Sequence, residues 1–294
     1  MTSPEQKVNQ ERLQIDNQKE QIGQTLFQVR FGLGPHTVRS SDWHNTLVQD
    51  LDSYFQSSNT TQRNIFFSED ALGSQSYLDI LRTAYKNYGK YTTAFAYTRL
   101  HRLRDGFPSA DSIETQYNTQ VLSQHPFMSD GARFIHEVFG ALDGIIERRG
   151  IKIDLETETR KDPRERQQIE RILTLAQKPR LQSVEEFHRQ ALMLWNMKRI
   201  RDRKIVEDLA DLYKKAIRKN ESTRIYVSLG QNHSGVSDLL AAKLYKRPSH
   251  EISVIRGELH SSKKEIFPAA IALLDSGSEI SPEQWQALFE SCML

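Results

Sequence analysis

The spacing of five short apolar runs constrains the fold of this chain more than any other feature. TLFQVRFG (25–32), NIFF (64–67), IKIDLETE (151–158), RIYVSLG (224–230) and EISVIRG (251–257) each have the length of a strand. Long stretches with helical character separate them, so no pair can close as a tight hairpin. Strands joined through helices are the strands of a mostly parallel sheet. The opening shows the pattern in full. Leu26, Gln28 and Arg30 alternate with Phe27, Val29 and Phe31, the loop LGPHTVRSSD follows, and WHNTLVQDLDSYFQ reads as a helix with Asp42 as N-cap. NIFF then closes a strand–helix–strand unit.

Between the second and third runs, residues 74–149 read as a helical insertion. FIHEVFGALDGIIERRG places Phe134, Ile135, Val138, Phe139, Leu142, Ile145 and Ile146 on one stripe, with Gly150 suited to the C-cap. Pro163 opens a further charged helix, 183–219 is a long helical stretch, SGVSDLLAAKLYKR is another, and two more lie near 264–276 and 281–291. The expected fold is α/β, a mixed, mostly parallel central sheet flanked by helices, in one domain over 25–294. Residues 1–24 form a polar arm, helical or disordered.

Composition narrows the partners. Forty basic against thirty-eight acidic residues leave a net charge of +2, which gives no bulk argument for nucleic acid, although KRIRDRK (198–204) is locally basic. The lone Cys292 excludes an intrachain disulfide and a CxxC zinc site. No apolar run approaches the roughly 18 residues of a membrane span. The expectation is a soluble, cytoplasmic protein acting on a small molecule or peptide, and a homo-oligomer is compatible with it. A chain trimmed of a secretion signal or membrane anchor would read the same way.

Functional groups of open α/β sheets gather where strands end at their carboxyl termini. His36 follows the first strand, Glu69 the second, and His233 follows RIYVSLG. Two imidazoles and a carboxylate are a ligand set of catalytic metal sites that keep one position open for water. A single histidine after a strand is more often a cap or surface residue, and the recurrence at three strand ends is what singles these out. His44 falls in the first turn of a helix, where the dipole favours a neutral ring, and packing with Trp43 is its simpler role. In RIRDRKIVEDL, Arg201 and Lys204 share a helix face, and Asp202 could orient a neighbouring arginine. A guanidinium there would stabilise a developing oxyanion. A solvated face beside Ile200, Ile205 and Leu209 is the plainer alternative.

Together these motifs resemble the Tiki-like superfamily, which includes TraB-type proteins, erythromycin-esterase-like enzymes and ChaN-like haem-binding lipoproteins. LGPHT supplies His36, IFFSED supplies Glu69, RDRKIVEDL supplies Arg201 and Asp202, and LGQNHSGV supplies Gly230 and His233, in the superfamily's order over most of 25–245. The chain departs from its pattern in two places. Gly34 and Pro35 stand where many relatives carry a glutamate before the first histidine, and Ile205 and Val206 occupy the usual Met-Ala positions.

The resemblance implies a protease- or esterase-like hydrolase, dependent on a divalent metal or not, with His36, Glu69, Arg201 and His233 in the site. In the metal-dependent form His36, Glu69 and His233 are the ligands. It also implies an alternative of the haem-binding type, in which His44, Tyr85 and Tyr88 would supply axial ligands and aromatic walls. A non-catalytic interaction protein with a degenerate site is the third reading, motivated by the missing first-strand acid.

Overall fold

The computed structural model describes residues 26–34, 41–58, 61–68, 75–100, 106–123, 126–157, 183–230, 233–257, 268–277 and 279–293. The polar arm and the charged helix expected after Pro163 lie outside these residues. In chain order the elements are β1 (Phe27–Leu33), α1 (Ser41–Gln56), β2 (Arg63–Ser68), α2 (Gln75–Tyr88), α3 (Tyr91–Leu100), α4 (Ala110–Tyr117), α5 (Pro126–Arg149) and β3 (Ile153–Glu156). There follow α6 (Val184–Lys219), β4 (Thr223–Leu229), α7 (Val236–Leu244), β5 (His250–Arg256), α8 (Pro268–Asp275) and α9 (Pro282–Met293). A single π-helical turn, Asn118–Leu122, continues α4. Asp42, expected as the N-cap of α1, instead lies in its first turn.

The five strands form one sheet in the order β3-β2-β4-β1-β5, and every described pairing is parallel. The sheet is therefore more uniform than the mixed one expected, because a helix stands between each pair of consecutive strands. Central β4 is buried along all seven residues, as a strand covered on both faces must be. On one face Phe27, Val29, Phe31 and Leu33 join Ile225, Val227 and Leu229 under Ile205 and Leu209 of α6 and Val236 and Leu240 of α7. On the other, Phe66 and Tyr226 pack beneath Leu47, Leu51 and Phe55 of α1 and the helices α2, α3 and α5. The insertion expected at 74–149 is this second helical layer.

The path of the chain places the crevice. From β1 it moves through α1 to β2, then through α2–α5 to β3, always on the α1 face. It returns through α6 to β4 and through α7 to β5 on the opposite face. β4 thus lies between β1 and β2, whose following segments go to one face while its own goes to the other. Such switch points open a crevice at the carboxyl ends of the strands.

Two glycines at that edge are required by close approach. A Cβ on Gly34 would come within 2.1 Å of the Trp43 indole, and one on Gly257 within 2.6 Å. The buried Trp43 ring fits only because both backbones lack a side chain, while Gly34 N–H donates to Leu229 O and Gly257 N–H to Leu33 O. Gly257→Ala is therefore expected to cost about 1–3 kcal/mol through overpacking. A denaturation midpoint equal to that of the parent chain would refute this account of the slot.

Burial also sets an alkaline limit. It pushes the phenols of Tyr54, Tyr77 and Tyr117 up to about 12, and those of Tyr91 and Tyr226 also upward. In the unfolded chain these groups ionise near pH ~10, so above that the unfolded state releases protons that the native state keeps. Stability is fully present below that pH and falls as pH rises toward 12. Urea midpoints measured across this range should decline steadily; a flat profile would contradict the buried tyrosine layer.

Candidate functional site

Helix α6 positions the site by its length. Thirty-six residues make a rod about 54 Å long, whereas the seven residues of β4 span about 23 Å. Ser183 caps its start by accepting from Glu186 N–H, and Asn220 ends it in the left-handed conformation at φ 49°. The carboxyl-terminal half of α6 packs on the sheet. The amino-terminal half runs past the carboxyl edge, where Phe187 and Ala191 pack against Ala270 of α8 and Trp285 of α9. Asp202 stands at the level of that edge.

His233 reaches the same place from β4. The strand ends at Leu229, Gly230 O accepts from His233 N–H at 3.0 Å, and α7 begins at Val236. The imidazole Nδ1 hydrogen-bonds to Asp202 Oδ1, and both side chains are about 5% exposed. Asp202 Oδ2 accepts from Lys198 Nζ at 3.1 Å, one turn back on α6, and the same ammonium pairs with Asp275 Oδ2 at 2.8 Å. Asp275 Oδ1 accepts from the Trp195 indole N–H at 3.0 Å, and Arg199 lies over that ring at 4.7 Å.

A line of alternating charge, Asp275–Lys198–Asp202, thus ends on His233. Burial by itself would lower the Lys198 pKa, but the hydrogen bonds and charges of Asp275 and Asp202 outweigh it and hold the ammonium above the ordinary lysine value. Arg201 is buried beside Asp202 and has partners of its own.

This arrangement revises the role expected of Asp202. It orients the histidine and accepts from a lysine, because Lys198 is its i−4 neighbour on the same helix face, while Arg201 projects about 100° around the axis. Lys204, expected to share a face with Arg201, pairs with Asp208 at 2.8 Å. His36 and Glu69 lie outside the described residues. The segments that carry them leave from Gly34 and Ser68 at the edge shared with Gly230, since β1 and β2 flank β4 in parallel register. Among the described residues no group of three His, Cys, Asp or Glu side chains could hold a metal ion.

The remaining candidates are engaged in packing. His44 Nε2 meets Glu137 Oε2 at 2.8 Å and the ring stands edge-on to Phe134, tying α1 to α5. Tyr85 stacks on Tyr91 at 4.0 Å, and the Tyr88 hydroxyl donates to Pro108 O at 3.0 Å. Lys198 and Asp275 were not singled out from the sequence as site residues. The i,i+4 spacing of Lys198 to Asp202 was a usable signal for the first. Nothing local marks the second, which lies 73 residues further along the chain from Asp202.

Among the described residues no helix is long and apolar enough to cross a membrane. No known protein family, curated protein or solved structure was found to match the chain.

Proposed function

We propose that the chain is a hydrolase of the Tiki-like kind, acting on a peptide or ester bond with His233 as general base. One observation carries the reading. A buried carboxylate holds a buried imidazole through Nδ1 at the carboxyl end of β4, the switch point of the sheet, where open α/β sheets bind their ligands. With the Nδ1 proton on the side of Asp202, Nε2 is the basic nitrogen.

In the proposed reaction Nε2 takes a proton from water as the water oxygen bonds to the acyl carbon. The carbonyl electron pair moves onto oxygen, where Arg201 would offset the charge. The imidazolium, stabilised by Asp202, then returns the proton to the leaving amine or alcohol as the acyl bond breaks. His36 and Glu69, whose segments start from the same edge, are proposed to complete the site. In a metal-dependent form the same Nε2 would instead be a ligand, holding a divalent cation with His36 and Glu69, and would not also act as the base. Bound there, the cation would polarise the carbonyl and acidify water.

A screen of peptide and ester substrates, paired with metal analysis of the purified protein, tests the reading. Hydrolysis that disappears in His233→Ala supports it, and a variant as active as the parent on every substrate the parent cleaves would end it. An absorption band from haem titrated into the protein, with no hydrolysis, would favour the haem-binding alternative.

A further inference from the structure

The amino halves of the strands carry a second polar feature, on the α1 face and away from His233. A cleft of about 320 Å³ opens between α1 and the edge strand β5. On this side Ile255, near the carboxyl end of β5, packs against the α1 cluster, whereas Glu251 and Ser253 in its amino half remain exposed or half-exposed. The parallel register sets the floor of the cleft. Gln28 of β1 stands between Arg224 of β4 and Glu251 of β5, and Arg30 stands between Tyr226 and Ser253. Arg224 and Arg30 are therefore diagonal neighbours on one face of adjacent strands, and both line the cleft.

The two guanidinium groups differ in how their charge is met. Arg30 is paired bidentately with Asp50 of α1, Nε to Oδ2 at 3.1 Å and Nη2 to Oδ1 at 2.6 Å. Tyr226 donates its hydroxyl to the same carboxylate at 2.9 Å, so both Asp50 oxygens are engaged. Arg224 is 8% exposed and has no carboxylate partner among the described residues. Its Nη1 donates to Ser57 Oγ at 2.6 Å, its Cζ lies 4.6 Å from the centre of the Tyr54 ring, and its Nε is buried with no acceptor among the described residues.

A buried cation with five N–H donors and so few acceptors is costly unless another acceptor arrives. The carboxyl end of α1, just before Ser57, offsets part of that charge. It leaves the buried Nε without an acceptor among the described residues. Ser53 and Ser253 add hydroxyl groups to the lining, and at the rim the Glu251 carboxylate accepts from Gln28 Nε2 at 3.0 Å.

We propose that this cleft binds a small polar molecule by its oxyanion, a carboxylate or phosphate group, received by Arg224 with Arg30 beside it. The serine hydroxyls donate to the same group. The rest of the ligand lies toward Glu251, where a hydroxyl or amine would be favoured and a second anion repelled. The volume suits a molecule of metabolite size.

The purified full chain is titrated with inorganic phosphate and, separately, with acetate, each against sodium chloride at equal ionic strength. Binding heat and melting midpoint are followed. A saturable rise of the midpoint by about 2–4 °C above the chloride control is expected from at least one anion. Phosphate alone, acetate alone or both then identifies the oxyanion accepted. Arg224→Gln should lose the response. Should that variant fail to fold, Ser253→Asp, which puts a carboxylate of the chain's own into the cleft, should lose it equally. His233→Ala should keep it, because that residue lies at the other edge of the sheet. No saturable effect from either anion, a response that survives Ser253→Asp, or one lost in His233→Ala would overturn the proposal.

Discussion

Replacing His233 with alanine is expected to lower hydrolysis on the order of 10²–10⁴-fold, the usual contribution of a positioned general base. Asp202→Asn should approach the upper end of that range at nearly unchanged volume. The asparagine amide would present a donor where the carboxylate accepts, and the imidazole would adopt the tautomer with its basic nitrogen pointing away from substrate. The two losses should not add, because both remove the same function. Turnover by each variant and by the double variant, with folding verified by melting midpoint, tests this; additive losses would mean that the residues act separately.

The second large effect falls on stability. Lys198 is the buried cation between Asp202 and Asp275, with 9% of its side chain exposed. Lys198→Met keeps most of the aliphatic volume but leaves the Asp202 carboxylate buried with, among the described residues, only His233 to balance it. Breaking a buried pair from one side costs about 3–5 kcal/mol. Lys198→Arg should recover part of that, although a planar guanidinium does not reproduce the geometry of an ammonium. Denaturant midpoints of the two variants decide the matter. A loss of only a few tenths of a kcal/mol in Lys198→Met would show that the lysine is a solvated surface group and not the counter-charge of the site.

The layer architecture was legible in the sequence because strand length and helical spacing are local properties. The runs at 25–32, 64–67, 151–158, 224–230 and 251–257 became the five strands, and the insertion became the helices between β2 and β3. Strand order was not legible. β4 enters between β1 and β2 through contacts between residues some 200 positions apart, such as Val29 with Ile225. No local pattern encodes such a pairing.

The site was legible in part for the same reason. RDRK and GQNH each stood out, and His233 and Asp202 do meet. Asp202 was expected to hold an arginine because a charge run suggests charge pairing within itself. Burial decided otherwise: facing the core, Asp202 meets the residue that β4 delivers and the lysine one turn back. Asp275 could not be foreseen, since its role depends on α8 packing against the overhanging end of α6. His44, read either as a ligand of the haem alternative or as packing at the helix start, meets Glu137 through the packing of α1 on α5.

Nitrogen NMR of the histidine rings in the folded chain tests the central claim most directly, because it needs no substrate. The account predicts that neutral His233 carries its proton on Nδ1, with that proton shifted far downfield by the bond to Asp202 and lost from that position in Asp202→Asn. A neutral ring protonated on Nε2, or an Nδ1 proton unaffected by Asp202→Asn, would contradict it.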